Sequence, residues 1–411
     1  MNLSNLNGII GILVLLFVSI LFSNNKKLIN YRLVVTGLFL QMLTGIFILK
    51  VPLGKQVFNI LAKGITSIID ISRVGSKFIF GFIADQDTLA KLIGKDNSFI
   101  FFIQVVPTII FICALVSILY YFGILQFIIK IFAWIFNKLL GVSGLEALAN
   151  TAVAIVGQVE SAIVIQPYLS KMTKSELLTI MTGGMACISG SIMAVYASFG
   201  IKTEYLIAAS FMAIPGSFII SKIIYPEDCT PLTKDNINIE FKIKEKSLVE
   251  AILDGAYSGA KISIGIIAML IAFISLIALI DKLLLNLSPS LSLKVILGWV
   301  FTPFVYLFGI PKQDVPLVAQ LIGTKISLNE FIAYLDMSKL ISQNLLTPKS
   351  IGITTFILCG FANFGSIAIQ VGGISQMAPE RKSDLSELGF KAMICGTITS
   401  CISGCIVGIF I

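Results

Sequence analysis

Long apolar runs recur along the chain and are separated by short polar turns. A run of about 20 apolar residues spans the hydrocarbon core of a bilayer as a single helix. The runs that are long enough, or nearly long enough, are residues 8–22, 32–50, 99–123, 176–199, 203–223, 260–281, 350–376 and 390–411. The pattern therefore predicts an all-α polytopic membrane protein with about eight transmembrane helices.

The segment from Leu53 to Lys95 has a different pattern, in which charged residues interrupt apolar residues at helical intervals. These charged residues are Lys55, Lys63, Asp70, Arg73 and Lys77. Such a pattern is typical of a helix at the membrane surface, and we expect an interfacial amphipathic helix here. A transmembrane helix of low hydropathy is the alternative interpretation.

Two polar segments indicate how the chain is oriented. The first apolar run is followed, not preceded, by Lys26, Lys27 and Arg32, so we expect a retained helix and not a signal peptide. Because basic turns stay in the cytoplasm, the N-terminus is predicted to lie outside. The connection from Tyr225 to Ser247 has nearly balanced charges, and we expect a cytoplasmic loop between two halves.

The two halves contain the same features in the same order. In the first half, GQVE at 157–160 precedes an apolar stretch and then GGMACISGSIM at 183–193. In the second half, LNEFIAY at 328–334 precedes an apolar stretch and then CGFANFGSIAI at 359–369. Repeated halves are a recurring plan of secondary transporters, so we expect an inverted internal repeat.

Glycine and small polar residues in the middle of two apolar runs predict broken helices near residues 186–191 and 361–366. Irregular backbone is tolerated at membrane depth only where it lines a cavity or is buried in protein. For Gly183, Gly184 and Gly190 the alternative interpretation is a face of small residues that lets neighbouring helices approach closely.

Polar side chains also lie in two regions that are too short or too polar to cross cleanly, around Gln158 and Glu160 and around Glu330. We predict two re-entrant hairpins that enter from opposite sides. A carboxylate at membrane depth is costly and indicates a bound polar substrate, although an internal ion pair with a lysine is an alternative. An intramembrane acid also suits a cation channel, or an enzyme with paired carboxylates.

Composition narrows these classes. Of the 411 residues, 56% are hydrophobic and 13% are charged, whereas soluble domains carry roughly 25% charged residues. The net charge of +8 comes from short basic clusters between apolar runs, so it sets topology and does not indicate nucleic acid. The chain has no histidine, and its seven cysteines lack paired metal-ligand spacing. A Ser-His-Asp triad and a typical zinc site are therefore excluded, and we do not expect an enzyme.

Four motifs, in this order and spacing, resemble those of the concentrative nucleoside transporters over essentially the whole chain. They are GQVE with PYLSKMTKSEL at 157–177, GGMACISGSIMAVYASFGI at 183–201, LNEFIAY at 328–334 and CGFANFGSIAIQVGG at 359–373. The resemblance implies a cation-coupled nucleoside symporter without an organic cofactor. It also implies an elevator mechanism and a homotrimer, and the bacterial inner membrane is the expected location.

The family architecture implies a division into scaffold and transport regions. Residues 1–125 are expected to form scaffold helices and the interfacial helix, and residues 126–224 the first transport repeat with its hairpin and broken helix. Residues 225–285 are expected to form the cytoplasmic loop and a scaffold helix, and residues 286–411 the second transport repeat. A secondary transporter of another small polar solute, or a cation channel, remains the alternative.

The resemblance places Gln158 and Glu160 near the nucleobase, where an amide offers both a donor and an acceptor to a ring edge. Many members carry a hydroxyl residue between these two, whereas this chain has Val159. One base contact is therefore expected to be lost, which leaves the preference among bases open.

The ribose hydroxyls are expected to bind Glu330, Asn363 and Ser366. A carboxylate accepts from two vicinal hydroxyls, and charge-assisted hydrogen bonds are about twice as strong as neutral ones. The resemblance also implies apolar contacts of the ligand with Ile192 and Phe361.

The sodium site of the family is depleted in this chain. Sodium-coupled members use an asparagine side chain and a serine hydroxyl at the positions that are Val153 and Cys187 here. Sodium prefers oxygen ligands, which neither of these side chains offers. The backbone carbonyls of Val156 and Ile188 remain, and Asn150, one turn earlier, is a candidate replacement. We therefore expect coupling to H+, with Glu330 or Glu160 taking the proton, or weak coupling to Na+.

Overall fold

The computed structural model describes residues 3–94, 100–231, 246–288 and 291–411, and these residues form helices and turns without a strand. The α-helices are α1 (Leu3–Leu21), α2 (Tyr31–Leu49), α3 (Pro52–Phe80), α4 (Gln86–Ile93), α5 (Phe101–Gln104), α6 (Val106–Tyr121), α7 (Ile124–Leu140), α8 (Gly144–Val153), α9 (Glu160–Ile163), α10 (Lys174–Ala186), α11 (Gly190–Ser198), α12 (Thr203–Ile224), α13 (Leu248–Leu285), α14 (Leu293–Tyr306), α15 (Val315–Ser327), α16 (Glu330–Ser342), α17 (Pro348–Leu358), α18 (Phe364–Met377) and α19 (Lys382–Phe410). The predicted all-helical membrane fold is confirmed.

Six helical segments among the described residues are long and apolar enough to cross a membrane. They are Tyr31–Leu49, Phe102–Tyr121, Lys174–Ser198, Thr203–Ile224, Leu248–Leu285 and Pro379–Phe410. Two shorter apolar helices cover Leu6–Leu21 and Leu293–Tyr306. The run predicted at 350–376 is not among the long segments, because a break at residues 359–363 divides it into α17 and α18.

The predicted amphipathic segment forms the long helix α3, followed by a turn and α4. Its buried residues recur every three, four or seven positions along one face, which packs against α6 and α12. The buried residues of α3 are Gly54, Phe58, Ala62, Ile69, Ser72 and Ser76. The segment is therefore helical and amphipathic, and its place at the membrane interface stays a prediction. The end of the predicted segment, at residue 95, lies outside the described residues.

The first hairpin consists of α8, α9 and a 3-10 turn over Gln166–Lys171. The Ser143 hydroxyl accepts from the Glu146 amide, and the Glu146 carboxylate accepts from the Ser143 amide, so α8 begins with a reciprocal cap. At the tip, Gly157 has a φ of 128°, which residues with a Cβ rarely adopt. The chain therefore reverses immediately before Gln158.

The second hairpin consists of α15 and α16, which are separated at the tip by Leu328 and Asn329. The Asn329 side chain caps α16 by accepting from the Ile332 amide at 2.9 Å. At the base of the hairpin, the Thr347 amide and hydroxyl donate to the Asp314 carboxylate at 3.0 and 2.6 Å. These bonds fix the start of α15 beside the start of α17.

The bases of the two hairpins lie at opposite ends of α19. Just before α19 begins, Arg381 donates to the carbonyls of Leu169 and Met172 in the last part of the first hairpin. At the other end, Ile411 packs against Gly352 of α17, near the base of the second hairpin. The hairpins therefore enter the helix bundle from opposite ends, as the inverted repeat requires.

Two helices break where the hairpin tips meet them. Residues 187–189 separate α10 from α11, and residues 359–363 separate α17 from α18, close to the predicted positions. Ser189 and Asn363 cap the helices that follow, and each accepts from the backbone amide three residues further on. The side-chain caps satisfy amides that the breaks leave free.

Gly183 and Gly184 lie inside α10 and not in the break, so they serve the alternative role of close packing. The Asn150 side chain lies against Gly183, and the Gln370 side chain lies against Gly184. Gly190 begins α11. The break therefore covers residues 187–189, which is narrower than the predicted region of 186–191.

The basic turn after α1 and the start of the predicted loop lie at the same end of the bundle. The Asn24 amide donates to the Ile224 carbonyl at 2.8 Å. This proximity agrees with a common cytoplasmic location for both segments, and the side of the membrane stays a prediction. Of the predicted loop from Tyr225 to Ser247, residues 232–245 lie outside the described residues.

We expect Gly360→Ala to destabilise the fold. Gly360 has a φ of 108°, and an added Cβ would lie 2.5 Å from the Ala186 carbonyl oxygen at the end of α10. The backbone strain alone costs about 1–3 kcal/mol. The apparent melting temperature of the detergent-purified protein measures the effect. The control is Gly372→Ala, where the added Cβ meets nothing within 4 Å, and equal melting temperatures for both variants would contradict the prediction.

Candidate substrate-binding site

A cavity of about 610 Å³ lies where both hairpin tips meet both broken helices. Ile262, Gly265 and Ile266 of α13 form a further wall. The predicted substrate residues that line this cavity are Gln158, Val159, Glu160, Ile192, Glu330, Phe361, Asn363 and Ser366. The structure therefore brings together all the predicted substrate residues, although they come from separate parts of the chain.

One end of the cavity contains an oriented amide. The Gln370 Nε2 donates to the Gln158 Oε1 at 3.2 Å and to the Met181 carbonyl at 3.2 Å. Because Gln370 is fully buried, it holds the Gln158 oxygen and leaves the Gln158 nitrogen for a ligand. Gln370 was not predicted, although it lies one helical turn after Ser366 on α18.

The Val159 side chain does not replace the missing hydroxyl contact. Its methyl groups pack against Gly373 of α18, where an added Cβ would lie 2.6 Å from the Val159 Cγ1. Gly373 thus makes room for a branched side chain at the hairpin tip. The cavity wall next to the Gln158 amide is therefore the apolar side chain of Val159.

The other end of the cavity contains the Glu330 carboxylate. The Tyr196 hydroxyl donates to its Oε1 at 2.9 Å, and the Asn363 Nδ2 donates to its Oε2 at 2.9 Å. The Asn363 Oδ1 accepts from the Ser366 amide at 2.9 Å, which fixes the orientation of the Asn363 amide. An ionised carboxylate has about four acceptor sites, so Glu330 keeps acceptor capacity beyond the bonds from Tyr196 and Asn363.

Glu330 therefore joins the two repeats, because Tyr196 belongs to α11 and Asn363 precedes α18. Tyr196 is fully buried, and its ring lies 4.4 Å from the Tyr334 ring, centroid to centroid. Its role was not predicted, although it is part of the GGMACISGSIMAVYASFGI motif. The available signal was the Tyr196 hydroxyl itself, which lies at helical spacing within that motif.

Glu160 begins α9, and its side chain is accessible from the cavity. No lysine or arginine nitrogen lies within 4.0 Å of Glu160 or Glu330 in the described parts of the chain. The alternative of a direct ion pair with a lysine is therefore not supported for either carboxylate. Ile192 and Phe361 add apolar surface between the two polar ends.

The degenerate sodium positions offer few oxygen atoms. Val153 is fully buried and aliphatic, and the Cys187 thiol donates to the Ser210 carbonyl at 3.6 Å. Val156 and Ile188 contribute backbone carbonyls only. Within the described residues, no group of three or more Asp, Glu, Cys or His side chains is placed to hold a metal. The side chains therefore do not fit a sodium ion at this position.

The Asn150 side chain, the predicted replacement for the missing ligand, contacts α12 and α10. Its Nδ2 donates to the Ser217 Oγ at 2.6 Å, and its Oδ1 lies against Gly183. The side chain thus points to α12 and α10. The predicted replacement stays a prediction.

Two hairpins and two broken helices around a cavity with a few polar groups in a mainly apolar wall define a membrane transporter of the inverted-repeat class. Three family profiles cover most of the chain: Na+ dependent nucleoside transporter N-terminus over residues 10–83, nucleoside recognition (Gate) over 102–203, and Na+ dependent nucleoside transporter C-terminus over 205–408. The chain belongs to the concentrative nucleoside transporter family. It is a nucleoside transporter and not an enzyme.

Individual relatives agree with this assignment. The chain is similar to the nucleoside permease NupC of Helicobacter pylori, with 38% identity over 100% of this chain and 99% of that protein. It is similar to CNTnw in an inward-facing substrate-bound state, with 36% identity, 100% of both chains covered and a TM-score of 0.95. A CNTnw variant in an outward-facing state also matches, with 35% identity, 99% and 98% coverage and a TM-score of 0.95.

We expect Tyr196→Phe to weaken nucleoside binding about tenfold, because a hydrogen bond to a charged group contributes about 1.5–3 kcal/mol, partly replaced by water. The ring is retained, so packing against Tyr334 persists. Calorimetric titration of the purified protein with uridine measures the change. Tyr205→Phe is the control, since the Tyr205 ring packs on Phe356 outside the cavity. Unchanged uridine affinity of Tyr196→Phe would contradict a role for this hydroxyl.

Proposed function

We propose that this protein imports nucleosides by proton symport, with the base at the Gln158 end of the cavity and the ribose at the Glu330 end. The observation that carries the proposal is the convergence of an oriented amide and a carboxylate in one cavity between the two repeats. A nucleoside has the matching chemistry, with a hydrogen-bonding ring edge at one end and hydroxyls at the other.

The base is recognised by the free nitrogen of the Gln158 amide, and by Glu160, which is accessible from the same cavity. The ribose hydroxyls donate to the unused acceptor sites of Glu330, next to Asn363 and Ser366. Hydrogen bonds to a charged acceptor are the stronger class, so the bonds from the ribose hydroxyls to Glu330 contribute strongly to the affinity for every riboside. The base end then sets the ranking among nucleosides.

The hairpins and broken helices form the moving transport region, and α13 with the N-terminal helices forms the scaffold. The proposed division follows the boundaries 1–125, 126–224, 225–285 and 286–411. Support comes from α13, which forms one wall of the cavity and packs along α6. CNTnw has inward-facing and outward-facing structures, both similar to this chain, which supports alternating access by an elevator movement.

Protons are the proposed coupling ion, with Glu160 as the carrier, because Glu330 stays ionised when it accepts charge-assisted bonds from the ribose. The family profiles are described as Na+ dependent, yet Val153 and Cys187 offer no side-chain oxygen to sodium. A proton needs one carboxylate and no coordination shell. We also propose that the protein is a homotrimer in the bacterial inner membrane, as the family resemblance implies, and that its N-terminus lies outside.

Uptake of labelled uridine into proteoliposomes tests the coupling ion. We expect accumulation under an inward proton gradient alone, and none under an inward sodium gradient alone. Sodium-driven accumulation that ignores the pH gradient would contradict proton coupling and keep nucleoside import. Counterflow of preloaded uridine is the control against a channel, because a pore cannot exchange solutes through one alternating site.

Two substitutions test the separate ends of the site. Glu330→Gln is expected to impair uptake of all ribosides at least tenfold, because it removes charge-assisted bonds to the hydroxyls. Gln158→Ala is expected to change the ranking among nucleosides that share ribose and differ in base. Initial uptake rates for a panel of purine and pyrimidine ribosides measure both effects. Equal loss of every nucleoside in both variants would contradict the division into base and sugar ends.

A further inference from the structure

A lysine is buried beside the substrate site, and it interacts with Glu330 through charge at a distance beyond a direct ion pair. Lys325 lies in the last turn of α15, just before the tip of the second hairpin, and its side chain is 1% exposed. Among the described residues, no carboxylate oxygen lies within 4.0 Å of its ammonium group. A buried cation is costly unless polar groups compensate it, so its surroundings require an explanation.

The ammonium group binds the end of a helix. The Lys325 Nζ donates to the Ile357 carbonyl at 2.8 Å and more weakly to the Cys359 carbonyl at 3.5 Å. Ile357 lies in the last turn of α17, and Cys359 is the first residue of the second break. The end of a helix carries a partial negative charge from free carbonyls, so a cation is favourable there.

The same backbone segment is held from a second side. The Ser400 hydroxyl of α19 donates to the Cys359 carbonyl at 2.7 Å. The chain then passes from Cys359 through Gly360 to Asn363, which donates to Glu330. Three residues therefore separate Cys359, whose carbonyl Lys325 binds, from Asn363, whose amide orients the carboxylate.

The first repeat has no charged side chain at the comparable place. Its first hairpin helix, α8, ends with Val153, and α10 ends just before Cys187. Among the described residues, the lysine that lies between a hairpin and a broken helix therefore belongs to the second repeat. The asymmetry coincides with the placement of Glu330 and Asn363 in the second repeat.

We propose that Lys325 is a positioning residue for ribose recognition. Its ammonium group holds the carbonyl end of α17 in place. The chain continues from there to Asn363, so the position of the Asn363 amide, and with it that of the Glu330 carboxylate, depends on Lys325. Lys325 is not among the described residues that line the cavity. The proposal rests on the proposed ribose end at Glu330, and it adds the element that holds that end in place.

Binding of uridine and of 2′,3′-dideoxyuridine to the purified protein tests the proposal by calorimetry. In the unsubstituted protein, uridine is expected to bind more tightly, since its analogue lacks the hydroxyls that Glu330 accepts. Lys325→Met should weaken uridine binding at least tenfold and change dideoxyuridine binding less than threefold, so that the preference for uridine collapses. Lys339→Ala, an exposed lysine on the same hairpin, is the matched control.

A merely structural role predicts a different result. Equal weakening of both nucleosides, or no change in either, would overturn the proposal. If Lys325→Met does not fold, Lys325→Ala is purified with methylammonium chloride, and sodium chloride at the same concentration serves as the control. Recovery of the uridine preference with methylammonium alone supports the proposal, and failure of both salts to restore it overturns the proposal.

Failure of the proposed function has a separate signature. If the unsubstituted protein binds uridine and dideoxyuridine equally, the ribose end at Glu330 is wrong, and with it the role of Lys325. If the unsubstituted protein prefers uridine and Lys325→Met keeps that preference, the ribose end stands and only the role of Lys325 is lost.

Discussion

A helix that breaks at membrane depth frees N–H and C=O groups that lipid cannot satisfy, and much of this fold follows from that constraint. Ser189 and Asn363 cap the helices after the two breaks, and Lys325 and Ser400 donate to the carbonyls at the second break. Polar groups are therefore concentrated where the breaks meet the hairpin tips. Of these groups, Ser189 and Asn363 also line the cavity, so the stability of the fold and the chemistry of the site share these two side chains.

The polar side chains of the cavity are oriented by hydrogen bonds with neighbouring side chains. Glu330 accepts from Tyr196 and Asn363, and Gln158 accepts from Gln370. A side chain that is already oriented loses little conformational entropy on binding, which favours affinity for a small ligand. A carboxylate and an amide retain unused hydrogen-bonding capacity in these arrangements. The site is thus partly satisfied and still able to bind, which suits a transporter that must also release its ligand.

Much of this architecture was predictable from the sequence, because membrane depth makes polar residues conspicuous. The hairpin tips, the helix breaks and the polar residues that line the cavity all interrupt apolar runs. Tyr196 and Gln370 were missed because their partners lie 134 and 212 positions away, and no local pattern records such pairs. Gly183 and Gly184 were ambiguous for a related reason: a glycine that breaks a helix and a glycine that admits a neighbouring side chain have the same local sequence.

The side chains near the cavity differ in positive charge between the two repeats, and this difference bears on ion coupling. The cavity holds two carboxylates, Glu160 and Glu330, whereas a nucleoside such as uridine is neutral. Moving uncompensated negative charge through a low-dielectric region is costly, so a coupled cation makes the loaded state easier to move. The second repeat has its own ammonium group in Lys325, but that group is bound to backbone carbonyls. The first repeat has aliphatic and thiol side chains at the predicted sodium positions, so a cation there would find no side-chain oxygen from Val153 or Cys187.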